Sequence, residues 1–114
     1  MSAYRIGTKY GSRKTLYNGV LYMSAKEARY AQELDLRVKA KNINSWEGQT
    51  PILLKVNDRK ICKYILDFKI THNDGSEEYV EIKGFETTVW RLKKKLFEAT
   101  FLLKNPSVKY SIIK

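Results

Sequence analysis

Tyr64-Ile-Leu-Asp67-Phe-Lys-Ile70 and Tyr79-Val-Glu81-Ile-Lys83-Gly-Phe85, joined by Thr71-His-Asn-Asp-Gly75-Ser, are the stretch that decides the fold. Both arms are rich in β-branched and aromatic residues, and Asp74-Gly75 is a turn signal, so the segment predicts a β-hairpin. With a three-residue loop Asn73-Asp74-Gly75 and Gly75 left-handed, Asp67 faces Glu81. Lys83 shares the face of Glu81, because side chains alternate along a strand. A two-residue loop would turn Asp67 to the opposite face. Two carboxylates about 5 Å apart at Cβ repel each other and raise a pKa unless a positive group lies between them. Mg²⁺ serves that role because it prefers oxygen ligands and retains several waters. Lys83 could then orient a water or offset charge developing at phosphorus. The competing expectation is a solvated hairpin face with a Glu–Lys pair.

Working outward, the chain has 114 residues, enough for a single domain over 1–114. Its net charge of +10, from 22 Lys and Arg against 12 Asp and Glu, points to a polyanionic partner. Nucleic acid and an anionic membrane both satisfy that charge. No stretch reaches the roughly 18 apolar residues of a membrane span, and no signal peptide is visible at the start. The expectation is therefore a cytoplasmic, nucleic-acid-facing protein with no membrane and no small-molecule cofactor. Cys62 has no second cysteine to pair with, and His72 is the only histidine, which excludes a zinc cluster. Cys62 reads as a strand residue and His72 as a turn residue.

Residues 1–14 carry Arg5, Lys9, Arg13 and Lys14 among Tyr4, Tyr10, Gly7 and Gly11 without periodicity. They read either as a flexible basic arm that contacts phosphates or as a solubilising terminus. Asn18-Gly19 between Thr15–Tyr17 and Val20–Met23 predicts a tight hairpin. Ser24-Ala-Lys-Glu27 matches a capping box opening a helix of about sixteen residues, to roughly Lys39. Glu27 also falls on the inward stripe with Ala31, Leu34 and Val38, so it is a cap, a buried functional acid, or both.

Lys41–Gly48 reads as a turn and a short strand, Gln49–Val56 as another strand with Pro51 near its start, and Asn57–Lys60 as a polar turn. Thr87–Leu103 predicts a second helix. Val89, Leu92, Leu96, Ala99 and Leu103 are expected to face inward, and Arg91, Lys94, Lys95 and Glu98 outward. That basic outer face suits a phosphate backbone or is an ordinary solvated face. Lys93 is expected to lie against the domain, snorkelling or reaching the carboxylates. Asn105-Pro106 ends the helix, and Val108–Ile113 reads as a last strand.

An acid on an early helix, Glu27, then Asp67 on one strand, then Glu81-Ile82-Lys83 on the next, then a basic helix, resembles the PD-(D/E)xK nuclease superfamily. Lys9-Tyr-Gly, Ser24-Ala-Lys-Glu-Ala-Arg-Tyr30, Glu81-Ile-Lys-Gly-Phe85 and Arg91-Leu-Lys-Lys-Lys95 resemble small phage-encoded nuclease-like proteins. More distantly the chain is similar to Holliday-junction resolvases of phages and archaea and to a transposon-end-cutting nuclease subunit. Leu66 stands where the motif's name has Pro. The resemblance implies an α/β (α+β) restriction-endonuclease-like core, a central mixed sheet flanked by two main helices. It implies that Asp67, Glu81 and the Ile82 carbonyl bind Mg²⁺, with Mn²⁺ as a substitute, and that Glu27 completes the shell. Lys83 would position the attacking water for hydrolysis of a phosphodiester.

Three functions are compatible with these residues. The first is a structure-selective DNA endonuclease acting on branched DNA such as a Holliday junction, in the host-cell cytoplasm if phage-encoded. So small a domain has little surface for reading sequence, and paired cleavage predicts a homodimer, with Trp46, Trp90 and Leu102 as residues of either its interface or the core. The second is a nicking or end-processing nuclease with the same site. The third is a non-catalytic DNA-binding module, which would have no use for two carboxylates that repel phosphate.

Overall fold

The computed structural model describes residues 13–114, so Arg5 and Lys9 lie outside the described residues, and Arg13 and Lys14 precede the first strand as exposed coil. The chain divides into two compact units, Met1–Asn42 and Ile43–Lys114.

In the first, β1 (Thr15–Tyr17) and β2 (Val20–Tyr22) form an antiparallel hairpin. Asn18 and Gly19 both have positive φ, 50° and 81°, the left-handed pair of a two-residue loop. Helix α1 (Ala25–Lys39) follows its N-cap Ser24, whose Oγ accepts the Glu27 amide proton at 3.1 Å. Its inward stripe is Glu27, Ala28, Ala31 and Leu34, all buried, with Val38 half-buried. Lys41, at φ 63°, closes the helix by donating to the Val38 carbonyl, while Asn42 donates to that of Arg37.

The second unit is a mixed four-stranded sheet in the order β3 (Ser45–Val56), β4 (Arg59–Thr71), β5 (Glu77–Ile82), β6 (Lys109–Ile113). Its first two pairings are antiparallel, and β5 and β6 run parallel, joined through helix α2 (Thr88–Phe97). Strand β5, paired on both edges, buries four successive residues, Tyr79, Val80, Glu81 and Ile82. The fold is thus α+β, with two helices and a mixed sheet, compatible with a restriction-endonuclease-like core. Among the described residues no helix is long and apolar enough to cross a membrane.

Two predicted elements merge: residues 45–56 form one strand, bent at Gln49, whose φ is 53°. The polar turn contracts to Asn57 and Asp58, both left-handed, and β4 begins at Arg59. Helix α2 starts after its N-cap Thr87 and widens into a π-helical turn over Glu98–Leu102. There the Thr100 hydroxyl donates to the Leu96 carbonyl at 2.6 Å, competing with the helical ladder.

The inward face of α2 differs from its predicted stripe. Val89, Leu92 and Leu103 are 63, 59 and 76 % exposed, whereas Trp90 and Phe97 are buried. Aromatic rings remove more apolar area from water than Val or Leu, and the sheet is itself aromatic. The Phe97 ring meets Tyr64, Tyr79 and Tyr110 edge-on at 5.4, 6.0 and 4.8 Å and stacks on Phe101 at 5.2 Å. Trp90 and Leu102, expected as interface candidates, therefore belong to this core, while half-buried Trp46 packs edge-on against Phe68.

Candidate active site

The predicted hairpin forms with the predicted register. Gly75 has φ +88°, its N–H donates to the His72 carbonyl, and His72 donates to that of Ser76. The Asp74 carboxylate accepts from both the amide and the hydroxyl of Ser76, which closes the three-residue loop. From there the pairs run Thr71–Glu77, Lys69–Tyr79 and Phe68–Val80, so the next position sets Asp67 against Glu81.

At that position the regular pairing of β4 with β5 ends, and the two carboxylates take over the backbone donors. The Ile82 amide donates to Asp67 Oδ2 at 2.7 Å, and the Asp67 amide donates to Glu81 Oε1 at 3.2 Å. The pairing of β3 with β4 likewise passes from Gly48–Phe68 to Thr50–Leu66, skipping Gln49 and Asp67. A ladder interrupted on both sides of Asp67 leaves that stretch of strand free for side-chain hydrogen bonds.

The carboxyl groups of Asp67 and Glu81 are neighbours that influence each other's protonation. Glu81 is 4 % exposed. Burial first, then the neighbouring Asp67 carboxylate, pushes its pKa up to about 8, against the pull of Lys83. Burial also raises Asp67, in spite of hydrogen bonds from Ile82 and Glu81 and the charge of Lys83. Lys83 Nζ stands 3.8 Å from Glu81 Oε2.

Sequence reasoning did not place Trp90 in the site. Its indole N–H donates both to Glu81 Oε2, at 3.0 Å, and to the Tyr64 hydroxyl, at 3.1 Å. The Lys83 ammonium lies 5.0 Å from the centroid of its ring, within cation–π range. Tyr64 in turn shares a 2.8 Å hydrogen bond with Tyr110, and burial pushes the Tyr110 phenol up to about 12. The signal was present in the N-cap: Thr87 Oγ1 accepts the Trp90 amide proton at 3.0 Å, which fixes Trp90 in the first turn of α2, a short loop after Lys83.

Asp67, Glu81, Ile82 and Lys83 are thus brought together. Among the described residues no three His, Cys, Asp or Glu side chains converge, so the acidic cluster is a pair. Glu27 is 8 % exposed in the first turn of α1, where Ser24 Oγ donates to its Oε1 at 3.4 Å. Its amide meets Ser24 as a capping box requires, and its carboxylate is buried as the stripe required.

The basic face of α2 is partly neutralised. Arg91 meets Glu86 at 3.4 Å and Lys94 meets Glu98 at 3.1 Å, whereas exposed Lys95 and half-buried Lys93 form no ion pair among the described residues. His72, at the hairpin mouth, pairs with Glu78 at 2.9 Å, and Ser111 Oγ donates to the other oxygen of Glu78 at 2.7 Å.

No curated protein and no solved structure matches the chain. Residues 7–113 match the family described as "Protein of unknown function (DUF1064)", and the chain belongs to that family.

Proposed function

We propose that the protein is a metal-dependent DNA endonuclease of the PD-(D/E)xK type, most suited to branched DNA. One observation carries it: half-buried Asp67 set against buried Glu81 at the end of a strand pairing, with Lys83 beside them. A fold has little reason to set a buried carboxylate against a second, half-buried one unless a cation joins them, since the bare pair costs stability. The element order helix, three strands, helix, strand, with its parallel β5–β6 pair, supports the same assignment.

The donor set fits a hard divalent cation such as Mg²⁺, with Mn²⁺ as substitute. Asp67 and Glu81 would hold it, the Ile82 carbonyl would add an oxygen, and water would fill the remaining positions. Glu27 enters that shell only through the family resemblance. When bound, such an ion lowers the pKa of water and offsets charge on the phosphate oxygens. The chain's own groups do the rest. Backbone amides of Asp67 and Ile82 fix one oxygen on each carboxylate, and the indole of Trp90 fixes Glu81 Oε2. Lys83 Nζ, held between Glu81 and the Trp90 ring, orients the attacking water or bonds a phosphate oxygen.

Asp67→Asn and Glu81→Gln are expected to abolish Mg²⁺-dependent cleavage of labelled DNA while DNA binding is kept or tightened, because negative charge is removed. Cleavage at the wild-type rate by either variant refutes the site. A homodimer, with two sites for two strands, belongs to the same proposal and is read by sedimentation.

A further inference from the structure

We propose that the two-stranded ribbon formed by the outer parts of β3 and β4 is a nucleic-acid-binding element that grips the phosphate backbone beside the carboxylate pair. The proposal deepens the endonuclease assignment by locating where its substrate lies.

Strand β5 covers β4 only over Phe68–Thr71, whereas β3 and β4 remain paired to Val56–Arg59. Beyond Leu66 the hairpin is therefore two strands wide. One side of it, Ile52, Leu54, Cys62 and Tyr64, packs into the aromatic core. The other side and the tip expose Lys55, Arg59, Lys60 and Lys63, with Leu53, Ile61 and Ile65 between them 42 to 50 % exposed. None of the four cations forms an ion pair among the described residues.

Their register is the telling detail. Leu54 faces Cys62, so an unbroken ladder would set Lys55 against Ile61. The pairing instead shifts between Leu54 and Lys55, and Lys55 faces Lys60. Like charges directly opposite one another destabilise a strand pair. A bulge that brings two lysines face to face, with no acid to bridge them, makes sense when an external anion sits between them.

A duplex backbone fits that anion. A ribbon two strands wide enters the major groove, which is about 12 Å across. Lys63 and Arg59 lie four and eight residues from Asp67 along β4, hence roughly 13 and 26 Å away. That distance spans about four to eight base pairs, so the cations reach phosphates flanking a scissile bond held at Asp67. The Leu and Ile side chains between them suit sugar and thymine-methyl contacts.

The test is binding of fluorescein-labelled linear duplex and four-way junction in chelator, where cleavage is silent, across a salt series. Lys55→Gln/Lys60→Gln/Lys63→Gln is expected to weaken binding at least about tenfold near 0.1 M salt and to lower the log–log salt slope by about 2 to 3. Its melting temperature is expected to hold or rise, since an opposed lysine pair is removed. An equally charged control, Arg29→Gln/Lys39→Gln/Lys104→Gln, is expected to stay within about twofold of wild type. Equal weakening of both variants, unchanged binding by the ribbon variant, or wild-type binding to phosphatidylserine vesicles but not to duplex overturns the proposal. Ribbon-dependent binding by a wild-type protein that never cuts DNA upholds it and refutes the endonuclease reading alone.

Discussion

Without a divalent cation, the Asp67–Glu81 pair makes stability fall as pH rises. Glu81 ordinarily titrates near 4.5, and burial and Asp67 push it up to about 8 in the fold. Between those values the folded state holds a proton that the unfolded state has released, so unfolding free energy declines with pH and levels off above about 8. Each unit of displacement corresponds to about 1.4 kcal/mol, which sets a ceiling of roughly 5 kcal/mol over the interval. Glu78 acts in another window. Burial raises it, but hydrogen bonds from Ser111 and His72 hold its pKa below the ordinary value, so its contribution is lost only under acid conditions. Glu81→Gln removes the titrating group and keeps one acceptor oxygen for the Asp67 amide or the Trp90 indole. Urea unfolding in chelator, at intervals from about pH 5.5 to 8.5, gives the comparison. Relative to this variant, the wild type is expected to lose stability at up to about 1.4 kcal/mol per pH unit. Mg²⁺ added at the alkaline end is expected to restore it in the wild type but not in the variant. Wild-type stability that stays level or rises relative to Glu81→Gln would refute a buried Glu81 set against a second carboxylate.

Trp90→Phe keeps an aromatic face for Lys83 but removes the N–H that holds Glu81. Mg²⁺ affinity, read as thermal stabilisation by the metal, is expected to fall about 10- to 100-fold, as for loss of other outer-shell partners. Phe97→Ala opens a cavity among Tyr64, Tyr79, Phe101 and Tyr110 and is expected to cost about 3–5 kcal/mol in urea unfolding. Gly75→Ala meets no atom within 4 Å, so only its positive φ is penalised, and a loss of about 1–2 kcal/mol is expected with activity per folded molecule unchanged. For Glu27→Gln, lost cleavage at an unchanged melting temperature supports a metal role, while lost stability with retained cleavage supports a cap alone.

The hairpin register was legible because Asp74-Gly75 admits a left-handed residue at one position, and period-two alternation then fixes every later pair. The capping box of α1 and the Asn18-Gly19 turn were legible for the same local reasons. What escaped was set by tertiary packing. Periodicity over α2 weighs Val, Leu and aromatics alike, so it chose Val89 and Leu92 over Trp90 and Phe97. It also could not register the π-helical turn at Glu98–Leu102, which shifts the phase of the helix. The role of Trp90 depends on a hydrogen bond across nine residues, and the ribbon on a register shift between Leu54 and Lys55. The Thr87 cap marks Trp90 as a first-turn residue of α2 but not its bond to Glu81, and the register shift leaves no local sequence mark.

The most direct measurement compares cleavage of labelled four-way junction, fork and linear duplex by wild type and Asp67→Asn at one salt concentration, with Mg²⁺ and with chelator. Expected is Mg²⁺-dependent cutting by the wild type that favours the junction and fork, and none by the variant. Wild-type protein that leaves all three substrates intact with Mg²⁺ and Mn²⁺, or an Asp67→Asn variant that cuts as well as wild type, would contradict the assignment.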